Sequence, residues 1–276
     1  MELKTEVPLP SSADRITFAT PVMFLGSCFA SEVGYRMASG KLNVMTNPHG
    51  TLFNPFSVAG ALDRFVSSYT YGENDIYLHQ NRYMSLDHHT AFSSYEREVL
   101  VDRLNDVSRN ASSFIREASF LFVTFGTSYI YTLRESGAIV ANCHKLPSSL
   151  FTRRQAVWSE IAQRWKETLD RLAELNPGLR VWFTVSPVRH LGDGAHANQL
   201  SKAHLLLAVE ELLVDDRLDG DVFAARDAAA LAWATVSWIS FGAWQHPAMK
   251  IPFTNVSTGR SFGWASRKNP SPLNVK

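Results

Sequence analysis

An α/β protein with a mostly parallel sheet covered by helices on both faces is the fold this sequence predicts, and three observations lead there. Apolar runs at residues 21–25, 120–125 and 180–185 read as buried strands, since they lack polar alternation. Segments of helical periodicity alternate with these runs, as in βαβ units. Each run also stops at a small or polar turn: Gly26-Ser27, Gly126-Thr127 and Ser186-Pro187. In parallel sheets the ligand crevice lies beyond the carboxyl ends of the strands, so these three turns are expected on one edge.

The elements follow in order. After the strand at 21–25, residues 27–38 suit a helix with Cys28, Val33 and Met37 on an apolar face. A short strand at 42–45 closes at the turn residues Asn47-Pro48-His49-Gly50. Asn54-Pro55 opens a helix, because proline is tolerated in a first turn, and Val58, Ala61, Leu62 and Phe65 keep a 3.6-residue period. Residues 67–94 are polar and aromatic with weak periodicity and read as loops and short strands. A helix at 102–117 precedes the strand at 120–125. Thr152 and Gln155 have capping-box spacing ahead of Trp158, Ile161, Trp165, Leu169 and Leu172, which share a face. Asn176-Pro177-Gly178 ends that helix, the strand at 180–185 follows, and 200–214 is amphipathic.

Composition narrows the function classes. The 276 residues carry 27 Lys plus Arg against 26 Asp plus Glu, a net charge of +1. Nucleic-acid binding driven by counterion release wants a basic surplus, so no nucleic-acid partner is expected. No apolar run is long enough to span a bilayer, and the acidic start of the chain does not resemble a secretory signal. These features predict a cytoplasmic protein without a membrane partner. The two cysteines, Cys28 and Cys143, form neither a disulfide framework nor a CxxC pair and are expected as reduced thiols.

Ser27 is the first candidate for chemistry. A serine between a buried strand and a helix has its hydroxyl at the crevice, and its own N–H can face an oxyanion. The competing structural reading is an N-cap that satisfies helix amides. Cys28 is a rival nucleophile, or a small apolar residue. Gly50, Gly126 and Thr127 can bring backbone N–H groups to a ligand, and Asn54 can add a neutral donor; each also reads as a turn or cap residue. Of the histidines, His144, His190, His204 and His246 could serve a serine as base, and His190 sits at the strand edge beside Arg189. Arg189 could hold a carboxylate or form a structural ion pair. Adjacent His88-His89 near Asp87 is a weak metal signal because neighbouring side chains point apart. Neither the phosphate-loop pattern nor the dinucleotide glycine fingerprint occurs, so no cofactor is expected.

Taken together, these segments resemble the GSCFA family, which is grouped with the SGNH (GDSL-like) hydrolases. The resemblance begins at Gly26-Ser27-Cys28-Phe29-Ala30 and continues through Asn47-Pro48, Gly50, Asn54-Pro55 and Gly126-Thr127. It extends over Val140-Ala141-Asn142-Cys143-His144-Lys145-Leu146-Pro147, Thr184-Val185-Ser186-Pro187-Val188-Arg189-His190 and Ser201-Lys202-Ala203. It implies a flavodoxin-like three-layer α/β/α fold with Ser27 as nucleophile and Gly50 in the second SGNH block. Gly126-Thr127 is similar to the third block, whose Asn would help form the oxyanion hole. Ser128 follows Thr127 here, so Asn142 or Asn54 is the substitute donor.

Related hydrolases carry a late Asp-x-x-His pair. The late His-Pro of this chain is His246-Pro247, with Ala243 three residues before the histidine instead of Asp. From about residue 215 the chain turns alanine- and tryptophan-rich and loses the resemblance; divergence and a shifted reading frame both account for this. The expected organisation is an SGNH-like domain over 1–215 and a divergent, frameshifted or poorly ordered segment over 216–276. The resemblance implies a serine-dependent esterase or O-acyl transferase acting on small-molecule or carbohydrate-like esters, without metal or cofactor. Ser27 would attack the carbonyl, the N–H groups of Ser27 and Gly50 and an Asn side chain would hold the oxyanion, and His246 would take the proton. The alternatives are a catalytically inactive binding module and a thiol enzyme built on Cys28. No oligomeric state follows from the sequence.

Overall fold

The computed structural model describes residues 15–213. Its centre is a four-stranded parallel sheet in which β1 (Val22–Gly26) lies between β2 (Val44–Thr46) and β5 (Phe120–Phe125), with β9 (Arg180–Val185) at the far edge. Two small antiparallel sheets flank it: a hairpin of β3 (Tyr77–His79) and β4 (Arg82–Met84), and a trio of β7 (Ile139–Val140), β6 (Tyr129–Leu133) and β8 (Phe151–Gln155). The helices are α1 (Cys28–Ser39), α2 (Pro55–Val66), α3 (Arg97–Glu117), α4 (Trp158–Leu175) and α5 (Ala195–Leu213).

The two faces of the sheet follow from the period of two along each strand. Met23, Leu25, Leu121, Val123, Val181 and Phe183 point to one side, where α2, α3, α4 and α5 cover them in the main core. Val22, Phe24 and Phe120 point to the other side, with Ala30 and Met37 of α1 against them. This is the three-layer α/β/α arrangement that the buried runs predict. Trp165 of α4 locks the larger layer. It is fully buried, stands edge-on to Phe125 and Phe183 at ring separations of 5.2 and 5.0 Å, and donates its Nε1–H to Pro55 O at 3.1 Å. Removing about 200 Å² of aromatic surface from water contributes about 5 kcal/mol of transfer free energy.

The chain leaves β1 through α1 to reach β2, then crosses back through α2 and α3 to place β5 on the opposite side of β1. The direction of winding therefore reverses between β1 and β5, which makes the ends of these two strands the switch point where open α/β sheets hold ligands. The turns after β1, β5 and β9 share that edge, as expected.

Several boundaries differ from the sequence reading. Thr152 and Gln155 do not cap a helix: both lie in β8, and α4 starts at Trp158, where the Glu160 carboxylate accepts the Val157 N–H at 2.7 Å. The spacing resembled a cap, but pairing of Thr152 and Gln155 with β6 claims their backbone. Helix α3 begins at Arg97 and α5 at Ala195, in each case five residues before the start that hydrophobic periodicity suggests. The boundary expected at 215 and the whole segment 216–276 lie outside the described residues. Among the described residues no helix is long and apolar enough to cross a membrane.

Candidate functional site

The site grows from the turn between β1 and α1. Gly26 has φ of +125°, and a Cβ there would stand 2.1 Å from Thr124 O of the neighbouring strand, so this position accepts only glycine. The Gly26 N–H is held by Asn47 Oδ1 at 2.8 Å, and Asn47 Nδ2 donates to Ser31 Oγ in α1 at 2.7 Å. Gly34 of α1 meets Thr46 so closely that an added Cβ would lie 2.2 Å from its Oγ1. Two glycines and one asparagine thus press α1 against the ends of β1 and β2.

Ser27 follows as the N-cap of α1, with φ −69° and ψ 176°. An N-cap serine ordinarily bonds its hydroxyl to a first-turn amide; here no such bond forms. Ser27 Oγ has no hydrogen-bond partner among the described residues, although the residue is only 1% exposed. The capping reading therefore fails at this serine. The expectation of a hydroxyl open to the crevice is not met either, because the side chain is enclosed. A buried hydroxyl without a partner costs about 1–3 kcal/mol, and such groups concentrate where function demands them.

The amides expected to form an oxyanion hole are engaged. Ser27 N–H donates to Thr124 O at 3.0 Å, and Gly50 N–H donates to Asn47 O at 2.7 Å. Gly50, at φ +80°, is glycine for another reason: a Cβ would fall 2.3 Å from the His89 Cβ. The two candidate asparagines are engaged as well. Asn54 caps α2, accepting Ser57 N–H and donating to Ser57 Oγ, both at 2.9 Å. Asn142 donates to Thr90 Oγ1 at 3.0 Å and accepts the His144 N–H at 2.9 Å. The backbone N–H groups of Ser27 and Gly50 thus already have acceptors, whereas each asparagine Nδ2 bears two N–H groups and uses one of them in these bonds.

The end of β5 is tied to helix α5. Gly126 and Thr127 both donate their N–H to Phe53 O, at 2.7 and 3.0 Å. Ser201 Oγ accepts the Ser128 N–H at 2.8 Å and lies 3.2 Å from both Thr127 Oγ1 and Ser128 Oγ. The next residue, Lys202, donates from Nζ to Gly126 O at 2.5 Å. Burial pulls its pKa down to about 8, with a weaker opposing influence from Cys28. Gly126 directly follows β5, so this bond holds the ammonium at the carboxyl end of that strand, beside the turn that follows β1. No carboxylate among the described residues forms an ion pair with it.

Lys202, Ser201 and Asn47 gain roles that the sequence reading did not assign. Their signal was the matched stretches Ser201-Lys202-Ala203 and Asn47-Pro48, but what each touches depends on strands far away in the chain.

His190 follows β9 on the same edge, half-buried and edge-on to Phe53 at 5.9 Å, with its N–H on Asn198 Oδ1 at 3.0 Å. Burial lowers its pKa, with Lys202 adding to the effect. Arg189 is exposed, and so is the Cys28 thiol. His204 lies on α5, and His246 is outside the described residues. His144 is a packing histidine whose Nε2 lies 2.8 Å from Ser85 O.

His88 and His89 point apart, as adjacency implies. His88 is buried with its ring 4.0 Å from that of His49, while His89 Nδ1 accepts the Ala91 N–H at 3.2 Å. Among the described residues no group of three or more His, Cys, Asp or Glu is arranged to hold a metal ion. A cavity of about 350 Å³ lies elsewhere, between α2 and the small sheets, lined among others by Ser57, Arg64, Asp87 and Val140. Ser27 does not line it.

The model of the GSCFA family matches residues 21–222. No curated protein and no solved structure matches the chain.

Proposed function

Since the chain belongs to the GSCFA family, we propose that it is an SGNH-type serine hydrolase or O-acyl transferase, with Ser27 as nucleophile and carbohydrate-like esters as substrates. One observation carries this reading: at the N-cap of α1, where a structural serine would bond a helix amide, Ser27 Oγ is buried and bonded to nothing among the described residues. The turn beneath it is built at a conformational cost, with Gly26 in a glycine-only region against Thr124 O. The ester class comes from the resemblance to SGNH hydrolases and its serine chemistry.

In the proposed reaction Ser27 Oγ attacks the acyl carbon and passes its proton to a base. His246 is the proposed base, carried by the segment outside the described residues. The carbonyl π electrons move to oxygen, and collapse of this oxyanion expels the alcohol, which takes up the proton. Water or a second hydroxyl then removes the acyl group from Ser27. Treatment with a fluorophosphonate probe followed by peptide mass spectrometry tests the assignment. The adduct is expected on the peptide containing Ser27; modification of another residue, or of none in a folded sample, removes the nucleophile.

The second reading is a binding module without turnover. It is favoured by the enclosure of Ser27, at 1% exposure, and by the engaged amides around it. Under that reading wild type and Ser27→Ala bind an ester ligand equally and neither consumes it.

A further inference from the structure

The serine-hydrolase reading leaves one charge question open. Negative charge develops on the carbonyl oxygen during attack, and the two amides expected to face it already donate to Thr124 O and Asn47 O. The crevice between β1 and β5 needs another donor. Two hydrogen-bonded contacts place Lys202 at the carboxyl end of β5. Ser201, its neighbour, anchors α5 to Ser128 and Thr127 at the end of β5. Its own Nζ reaches Gly126 O at 2.5 Å, two residues beyond the strand pairing of Gly26 with Thr124.

Resting on that reading, we propose that the Lys202 ammonium holds the negative charge that develops on the substrate carbonyl oxygen in the crevice between β1 and β5. An ammonium has three N–H donors, and the one on Gly126 O fixes its position while leaving two for a ligand. No carboxylate of the described residues competes for it, so its charge is free to act on substrate. In a partly desolvated crevice such a charge acts far more strongly than in water. The lysine keeps its proton throughout: it donates a hydrogen bond to the oxyanion, and the proton of Ser27 Oγ goes to the separate base.

The ionisable groups facing Lys202 are the Cys28 thiol on α1 and His190 after β9, with Asp193 beside His190 and paired to Arg153. At pH 7 a lysine with a pKa of about 8 is mostly cationic, which suits charge stabilisation; proton abstraction would require the neutral minority. The two roles have opposite pH dependences. A charge holder loses effect as pH rises past 8, whereas a proton acceptor gains it.

The test measures the rate of Ser27 phosphonylation by a fluorophosphonate between pH 6 and 10, in wild type, Lys202→Met, Lys202→Arg and Cys28→Ala. A charge holder predicts a rate in Lys202→Met about 100-fold or more below wild type. Lys202→Arg, always cationic, stays within about tenfold of wild type and loses the alkaline decline. Wild type falls roughly tenfold from its plateau for each pH unit above the lysine pKa, and Cys28→Ala keeps that fall. Labelling of Ser27 at the wild-type rate in Lys202→Met overturns the inference and spares the nucleophile. A wild-type rate that climbs through pH 8, with Lys202→Arg as slow as Lys202→Met, also overturns it by making the lysine a base. Failure of wild type to label at Ser27 overturns both readings. The wild-type pH profile and Lys202→Arg decide the matter even where Lys202→Met does not fold.

Discussion

Gly26→Ala is the sharpest perturbation of this architecture, because one methyl group meets two separate obstacles. The first is conformational: φ of +125° lies in a region open to glycine alone, costing about 1–3 kcal/mol for alanine. The second is steric. The new Cβ would sit 2.1 Å from Thr124 O, a backbone atom of the adjacent strand that no rotamer change can move. Relief requires β1 to shift away from β5, which loosens Gly26 N–H on Asn47 Oδ1, Ser27 N–H on Thr124 O and Leu52 N–H on Gly26 O. At about 0.5–1.5 kcal/mol for each of the three weakened bonds, added to the conformational cost, the total comes to about 2.5–7.5 kcal/mol, a large share of an ordinary domain's stability. Gly60→Ala supplies the control. It sits inside α2 with nothing within 4 Å of an added Cβ, so the same methyl should stabilise by about 0.5–1 kcal/mol through helix propensity. Urea unfolding followed by circular dichroism measures both. The reasoning fails if Gly26→Ala lies within about 0.5 kcal/mol of wild type, or if the two substitutions shift stability in the same direction.

Acid should weaken the fold through His49, which is fully buried with neither ring nitrogen bonded among the described residues; burial, and then the charge of Arg64, lowers its pKa from 6.5 to about 3. The unfolded chain takes up a proton below 6.5 while the folded chain does not until about 3, so this stabilisation is complete above pH 6.5 and lost as pH falls toward 3. Between pH 7.5 and 4.5 the loss from His49 alone is about 2–3 kcal/mol, with His88 acting in the same direction. Urea unfolding should show a flatter acid limb in His49→Phe, and an unchanged limb would refute the account. Asn47→Ala leaves the buried Gly26 N–H without its acceptor and places alanine at φ +43°, for a loss of about 2–4 kcal/mol and slower labelling of Ser27. Stability within about 0.5 kcal/mol of wild type, by the same unfolding measurement, would show that Asn47 does not hold the turn.

The parallel strands β1, β5 and β9 were legible because their runs are mostly apolar on successive residues, broken by Thr124 in β5 and by Arg180 and Thr184 in β9, as burial on both faces favours. Val22 to Leu25 and Phe120 to Phe125 carry that signal, and the turn residues after them mark the edge of the sheet where the strands end. The trio β6, β7 and β8 was not legible. Thr152, Arg153 and Arg154 are exposed and polar, so β8 exists through its pairing with β6 and not through its own side chains. The same limit applied to the candidate donors. Asn54, Asn142 and Gly50 are residues of the right type in the right stretches, yet each is already hydrogen-bonded, Asn54 and Gly50 to residues three positions away and Asn142 to Thr90, 52 positions away.

From residue order alone came the α/β class, the family, the glycine before Ser27 and the edge where the turns collect, since burial and backbone geometry leave their mark on short stretches of chain. Tertiary structure alone decided that Ser27 Oγ is enclosed and unbonded, that the neighbouring amides are already engaged, and that Lys202 reaches Gly126 O across 76 positions of sequence. Such contacts depend on where distant segments meet after the sheet has closed, and no local pattern encodes that distance.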